Sequence, residues 1–121
     1  MFNFGVIVLK YLPNLPKTPE FNIIRYQLAK CSISSGANYE EAQVGSSRAD
    51  FNNKVRIALR EMRESNYWLR VINAIILDKN KDLSFLLDES DQLKKILGSI
   101  KKKKKQDTSK KIQVFICNTS I

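Results

Sequence analysis

The sequence predicts an all-α fold: an antiparallel up-down-up-down four-helix bundle with a short first helix and a basic, disordered C-terminal tail. Three observations predict it. Apolar residues recur at helical spacing in four stretches, prolines and polar turns separate these stretches, and only residues 112–117 have the composition of a strand. At 121 residues the chain suits one small domain, which we place at residues 1–105, followed by the tail at residues 106–121.

The first helix is predicted to be short, over residues 2–12. Its apolar face comprises Phe4, Ile7, Val8 and Tyr11. Pro13 and Pro16 end it and form a stiff connector, because proline restricts its own backbone and that of the preceding residue.

The second helix is predicted from Pro19 to about Gln43. Thr18 suits the N-cap, and proline is common at the first helical position. The face toward the core comprises Ile24, Leu28, Cys31, Ser35 and Ala42. A break at Ser35-Gly36 is the alternative, because glycine within a helix costs about 1 kcal/mol.

The third helix, predicted over residues 46–77 with Ser47 as its cap, is the longest and contains neither proline nor glycine. At about 100° per residue, its side chains fall on three sides. The core side comprises Phe51, Val55, Ala58, Leu59, Met62, Leu69 and Ile76. The opposite side, here called the basic face, comprises Arg56, Arg60, Arg63, Tyr67 and Arg70. The apolar flank comprises Ile57, Trp68, Val71 and Ile75.

The fourth helix is predicted to begin near Asp82 or Ser84, either of which suits the N-cap. Its apolar stripe comprises Leu83, Leu86, Leu87, Leu93, Ile96, Leu97 and Ile100. Lysines come late in this helix, which suits the negative end of the helix dipole. The helix is expected to fray within the run of Lys101, Lys102, Lys103, Lys104 and Lys105.

The composition excludes several kinds of function. The chain has no histidine, which excludes Ser-His-Asp and Cys-His catalysis and the Glu-x-x-His ligands of di-iron bundles. Cys31 and Cys117 match no metal spacing, and Cys31 suits a buried thiol. We therefore expect no catalytic residues, no cofactor and no metal. The opening residues 1–9 are too short to span a bilayer and lack the features of a signal peptide, so we expect a cytoplasmic protein without a membrane partner.

The formal net charge of +9 is concentrated near the C terminus. Residues 1–100 carry 14 basic and 11 acidic side chains, whereas residues 101–121 carry 7 basic and 1 acidic. A basic balance is compatible with a phosphate-bearing partner, but it does not identify one.

Two stretches, residues 27–43 and 47–69, resemble a known bacterial family. These are the small four-helix-bundle proteins encoded in intervening sequences of 23S ribosomal RNA genes. The resemblance covers roughly residues 1–103, and its matching positions lie in order at the expected separations across two helices. They are Gln27-Leu28, Ser32-Ile33-Ser34, Ala37-Asn38, Glu41-Ala42, Ser47, Asp50-Phe51, Ile57-Ala58-Leu59, Glu61, Glu64 and Tyr67-Trp68-Leu69.

The resemblance implies an antiparallel four-helix bundle that assembles as a homopentamer and catalyses no reaction. It also relates the chain to the accessory protein of diversity-generating retroelements, a basic pentamer that works with a reverse transcriptase and binds nucleic acid. The short first helix and the tail after about Gln106 depart from the family pattern.

The basic face has two interpretations. Its arginines could follow a phosphate backbone while Tyr67 stacks on a base, and Lys101–Lys105 would add attraction that is independent of sequence. Alternatively, the face is solvated or pairs with carboxylates of a neighbouring subunit, and the lysines only solubilise the chain. We place a nucleic-acid site at the basic face and lysine run, and we place part of an oligomer interface at the apolar flank.

We therefore predict a small, basic, oligomeric protein that is not an enzyme and binds RNA or other nucleic acid. The alternative is a scaffold for a protein partner, for example a reverse transcriptase or a ribosomal component. The carboxylates of Glu61 and Glu64 share a face, but a structural role suits them better than catalysis, with Glu61 hydrogen-bonded to Gln27, Asn38 or Tyr39 on the second helix.

Overall fold

The computed structural model describes residues 1–44 and 47–102, which fold into four α-helices and one 3₁₀ turn. The elements are α1 (Phe2–Tyr11), the 3₁₀ turn (Leu12–Asn14), α2 (Pro19–Gln43), α3 (Arg48–Ile75) and α4 (Lys81–Lys102). Successive helices pack on each other, and α1 also packs on α4, which closes the bundle. These described residues contain no strand. The predicted four-helix fold with a short first helix is confirmed.

Most helix boundaries follow the predicted caps. The Thr18 hydroxyl accepts a hydrogen bond from the Phe21 backbone N–H over 3.2 Å, and α2 then runs unbroken to Gln43. The alternative of a break at Ser35-Gly36 is therefore wrong. The Ser47 hydroxyl accepts from the Asp50 N–H over 3.0 Å. The third helix ends at Ile75, because Ile76 adopts an extended backbone.

The predicted cap of the fourth helix is wrong. The helix begins at Lys81, and the Asn80 side-chain oxygen accepts a hydrogen bond from the Leu83 backbone N–H over 3.0 Å. Asp82 and Ser84 therefore lie inside the first turn rather than before it. The earlier start places Leu83 in the core, where it is almost fully buried.

The apolar faces of the helices meet in one core. Its largest fully buried side chains include Phe4, Leu28, Met62, Leu69, Leu86, Leu93 and Leu97. Of the predicted core side of α3, Phe51 and Ile76 are only partly buried, whereas Ile72, which we did not predict, is buried. Among the described residues, no helix has the length and apolar character needed to cross a membrane.

Small polar residues are buried among the apolar ones where α2 packs on α3. The Ser35 hydroxyl donates to the Ala58 carbonyl over 2.8 Å, and the Ser65 hydroxyl donates to the Glu61 carbonyl over 3.0 Å. The Ser65 oxygen also lies 3.2 Å from the Cys31 sulfur. Burial raises the pKa of the Cys31 thiol to about 11 because the thiolate would lose its hydration. The prediction that Cys31 is a buried thiol is confirmed.

Several predictions concern residues outside the described ranges. They are the disordered tail at residues 106–121, the strand-like composition at residues 112–117, and Lys103, Lys104 and Lys105 of the lysine run. Lys101 and Lys102 are the last described residues of α4.

Candidate nucleic-acid interface

The basic face lies along the exposed side of α3. Arg56, Arg60, Arg63, Tyr67 and Arg70 are all exposed. Because α3 is one unbroken helix, the Cα atoms of Arg56 and Arg70 are separated by about 21 Å along its axis. The helix therefore presents a straight row of guanidinium groups with one aromatic ring among them.

Most of these arginines have no carboxylate partner within the described chain. Arg60 Nε lies 3.5 Å from a Glu61 carboxylate oxygen; the arginine is exposed and the carboxylate is partly buried. Arg56 hydrogen-bonds the side-chain oxygen of Asn53, a neutral group. Over residues 1–44 and 47–102, no ion pair involves Arg56, Arg63 or Arg70. Three charges of this face are therefore available to an external anion.

Tyr67 is held in place while half of its side-chain surface stays exposed. The Trp68 ring contacts it edge to face, with ring centroids 5.2 Å apart and an interplanar angle of 74°. The Arg70 guanidinium carbon lies 5.8 Å from the centre of the Tyr67 ring. Trp68 is itself fixed, since its indole N–H donates to the Glu64 carboxylate over 3.2 Å. The tyrosine ring is thus an ordered, accessible stacking surface.

A polar network that we did not predict joins the basic face to α4. The Asn66 side-chain oxygen accepts hydrogen bonds from Arg70 Nε over 3.0 Å and from Lys94 Nζ over 3.3 Å. The Asn66 amide donates to the Ser90 hydroxyl over 2.9 Å, and Ser90 donates to the Leu87 carbonyl. Asn66 is only 4% exposed, so one buried amide positions two cations from different helices. Asn66 lies beside the core stripe of α3 in the helical pattern, and this position is the sequence signal that indicates its burial.

A shallow groove, widely open to solvent, lies between α3 and α4 at this network. Its lining residues are Asn66, Arg70, Ser84, Leu87, Asp88, Asp91 and Lys94. Hydrogen bonds from Lys95 and Lys94 lower the pKa of the Asp91 carboxyl. Asp88 accepts a hydrogen bond from the Gln92 amide over 2.9 Å. The groove therefore combines cations, carboxylates and neutral polar groups on a partly apolar floor.

The apolar flank is divided between the core and the surface. Trp68, Val71 and Ile57 are half-buried, and the first two pack against the core. Ile75 is 49% exposed. Other exposed apolar side chains, which we did not predict, include five on α1 and α2. They are Phe2, Leu9, Ile23, Tyr26 and Ile33.

Two further observations concern the carboxylates of the described residues. Glu61 is partly buried and contacts the neighbouring Arg60, and the Asn38 amide, proposed as a partner of Glu61, donates instead to the Ser34 carbonyl over 2.9 Å. Within the part of the chain that the structure describes, no three histidine, cysteine, aspartate or glutamate residues converge as metal ligands.

Comparison with known proteins identifies relatives of the whole bundle. The sequence profile of the 23S rRNA-intervening sequence protein family matches residues 1–99. A crystal structure at 1.70 Å resolution, of a protein with unknown function from the S23 ribosomal protein family of Bacteroides thetaiotaomicron VPI-5482, is similar with a TM-score of 0.72. The two chains are 32% identical over 84% of this chain and 94% of the other. No curated protein matches this chain.

Proposed function

The chain belongs to the 23S rRNA-intervening sequence protein family, and from that premise we propose that it binds RNA or other nucleic acid through the basic face of α3. In this proposal it acts in the cytoplasm as a small basic oligomer and catalyses no reaction. The lysine run, Lys101–Lys105, adds attraction to any nucleic-acid backbone.

Among residues 1–44 and 47–102, Arg56, Arg63 and Arg70 have no carboxylate partner, and this observation carries the proposal. Arg60 lies four residues after Arg56 and three before Arg63, and each such like-charge pair on one helix costs a few tenths of a kcal/mol. A face that served only solvation would reduce this repulsion by alternating arginine with glutamate. An aligned row of arginines, most of them without a carboxylate partner among the described residues, instead suits a ligand with repeated negative charges, because guanidinium pairs with phosphate through two hydrogen bonds.

The names of the relatives support RNA as the first ligand to test. The family name refers to 23S rRNA, and the similar crystal structure is of a protein from a family whose name contains the word ribosomal. Neither description states that the relative binds RNA. They make a ribosomal RNA fragment a reasonable probe, and its binding by this chain is part of the proposal.

Binding through phosphates should depend steeply on salt. Four arginine–phosphate contacts to a single strand predict that the logarithm of the association constant falls with the logarithm of salt concentration with a slope of about −3. Fluorescence anisotropy of a labelled RNA strand, titrated at several salt concentrations, measures this slope. Absence of binding at low salt, or an affinity unaffected by salt, would contradict the proposal.

We propose self-association through the apolar flank, with a homopentamer as the expected assembly. The exposed surface of Ile75, beside the half-buried Ile57, Trp68 and Val71, supports this choice. A ring of copies would repeat the basic face several times. Linked sites of this kind bind one long nucleic acid more tightly than a single site does.

A protein scaffold is the second candidate function, with a reverse transcriptase or a ribosomal component as the partner. The exposed apolar residues Ile23, Tyr26 and Ile33 favour it, because they recur at helical spacing on α2 and lie away from the basic face. A complex with the purified partner that survives nuclease treatment and is lost in an Ile23→Glu/Ile33→Glu variant would support the scaffold over nucleic-acid binding.

A further inference from the structure

The groove between α3 and α4 contains both cationic and anionic side chains, whereas a surface that binds only phosphate needs cations alone. Arg70 and Lys94 converge from opposite helices on the Asn66 oxygen. Asp88 and Asp91 line the same groove. Asp91 is paired with Lys94 and Lys95, whereas Asp88 has no cation partner among the described residues. Because a carboxylate repels a phosphate, Asp88 would weaken a site that bound only the nucleic-acid backbone. The ligand of this groove should therefore offer hydrogen-bond donors as well as negative charge.

An unpaired nucleotide offers both. Its phosphate suits the terminal nitrogens of Arg70, because only the Nε atom of this guanidinium is engaged by Asn66. The amino group of cytosine is a hydrogen-bond donor, and aspartate carboxylates accept from it. Uracil presents a carbonyl oxygen at the same position, which a carboxylate repels.

We propose that the groove between α3 and α4 binds an unpaired nucleotide carrying an exocyclic amino group, with its phosphate at Arg70 and its amino group at Asp88. This inference rests on the proposed function and names the ligand of the same surface. The exposed Tyr67 ring, on the same helix face as Arg70, stacks a base of the strand. A base within an RNA double helix cannot be presented in this way, because the amino group of a paired cytosine or adenine lies in a deep, narrow major groove that side chains cannot read.

Asp88 is the residue that distinguishes bases in this arrangement. Asp91 is engaged by both Lys94 and Lys95, at 3.3 and 3.2 Å. Asp88 accepts one hydrogen bond, from Gln92 to its Oδ2 atom, and a carboxylate can accept several. Asp88 is exposed at the groove, so a bound base can reach it without rearrangement of the bundle.

Binding of RNA homopolymers tests this inference, because it predicts that removing the Asp88 charge weakens the binding of oligocytidine, whereas general electrostatics predicts that it strengthens the binding. Oligocytidine and oligouridine, each about 12 nucleotides long, are titrated into the full chain at one salt concentration. We expect oligocytidine to bind about tenfold more tightly than oligouridine. In Asp88→Asn, oligocytidine should bind more weakly, although removing a negative charge favours any polyanion. Deoxycytidine strands in a parallel arm report whether the sugar matters.

Glu40→Gln is the matched control, because it removes one exposed negative charge on α2, away from the groove. It should strengthen binding of both homopolymers slightly and leave their ratio unchanged. Thermal unfolding of each variant verifies that the bundle is intact.

Three results would overturn the inference. The first is equal affinity of the wild-type chain for the two homopolymers, and the second is tighter binding of both by Asp88→Asn. The third is a paired duplex that binds as tightly as oligocytidine. Each leaves nucleic-acid binding by the basic face standing. Failure of every strand to bind at low salt would overturn both proposals together.

Discussion

The Asn66 amide on α3 donates a hydrogen bond to the Ser90 hydroxyl on α4 over 2.9 Å, and both side chains are buried. The same amide group accepts from Arg70 and Lys94 through its oxygen. This pair therefore does two things at once. It fixes the antiparallel register of α3 against α4, and it places two cations at the edge of the groove.

Removing either partner should destabilise the bundle. Asn66→Ala and Ser90→Ala are each expected to lower the free energy of unfolding by about 1–3 kcal/mol, because each removes a buried hydrogen bond, and Ser90→Ala also leaves the buried Asn66 amide without its acceptor. The double variant should lose less than the sum of the two. Urea unfolding of all four proteins measures this coupling, with the exposed Ser99→Ala as a control. Strictly additive losses would mean that the two side chains do not interact in solution.

Ionisation of Cys31 should reduce stability at alkaline pH. Burial raises the pKa of this thiol from its ordinary value of 9.0 to about 11. An unfolded chain therefore loses the proton first, so the free energy of unfolding falls as the pH rises from about 9 toward 11. By pH 10 this component reaches about 1 kcal/mol.

A variant without this thiol isolates the effect from that of other groups. Urea unfolding is measured between pH 8 and pH 10 in a Cys117→Ser background, with and without Cys31→Ala. The protein that retains Cys31 should lose stability more steeply. Parallel curves for the two proteins would show that Cys31 ionises as readily in the folded chain as in the unfolded one.

Asn80 should stabilise the start of α4. Asn80→Ala is expected to lower the free energy of unfolding by about 1 kcal/mol, because the Leu83 backbone N–H loses its acceptor. Ser84→Ala, at the position that the sequence also favoured as a cap, should change stability by less than about 0.5 kcal/mol. Chemical denaturation compares the two. A larger loss in the serine variant would place the helix start where the sequence alone suggested.

A charge on the apolar flank should prevent self-association. Ile75→Glu is expected to shift the chain toward monomer in sedimentation velocity while its helical circular dichroism is retained, because a carboxylate at an apolar contact must be desolvated. Ile33→Glu on α2 is a matched control, since Ile33 and Ile75 are both 49% exposed. If the α2 variant dissociates the assembly and the α3 variant does not, the interface lies on the other side of the bundle.

Periodicity predicted the parts of this protein that depend on one helix at a time. The extent of α2, its cap at Thr18 and the exposure of the arginines on α3 follow from spacing and from residue preferences at helix ends. These properties need no knowledge of which helices become neighbours. They also gave the fold class, because four such helices with short connections have few ways to pack.

The spacing of residues along one helix could not predict which side chains of different elements contact each other. Nothing in the sequence around Asn66 indicates that its partner is Ser90, 24 positions away. The same holds for Arg25, which donates to the carbonyls of Leu12 and Pro16 across the connector before α2. The cap of α4 failed for a related reason. Asn80, Asp82 and Ser84 all suit an N-cap, and the burial of Leu83 in the core decides among them.

The measurement that tests the central claim most directly compares RNA binding by two triple variants. One removes Arg56, Arg60 and Arg63 together by substitution with alanine, and the other removes Lys10, Lys17 and Lys30, three exposed cations elsewhere on the bundle. Both lose the same formal charge. We expect the arginine variant to bind a single-stranded RNA at least about tenfold more weakly than the lysine variant, with a shallower dependence on salt. Equal binding by the two variants would contradict it.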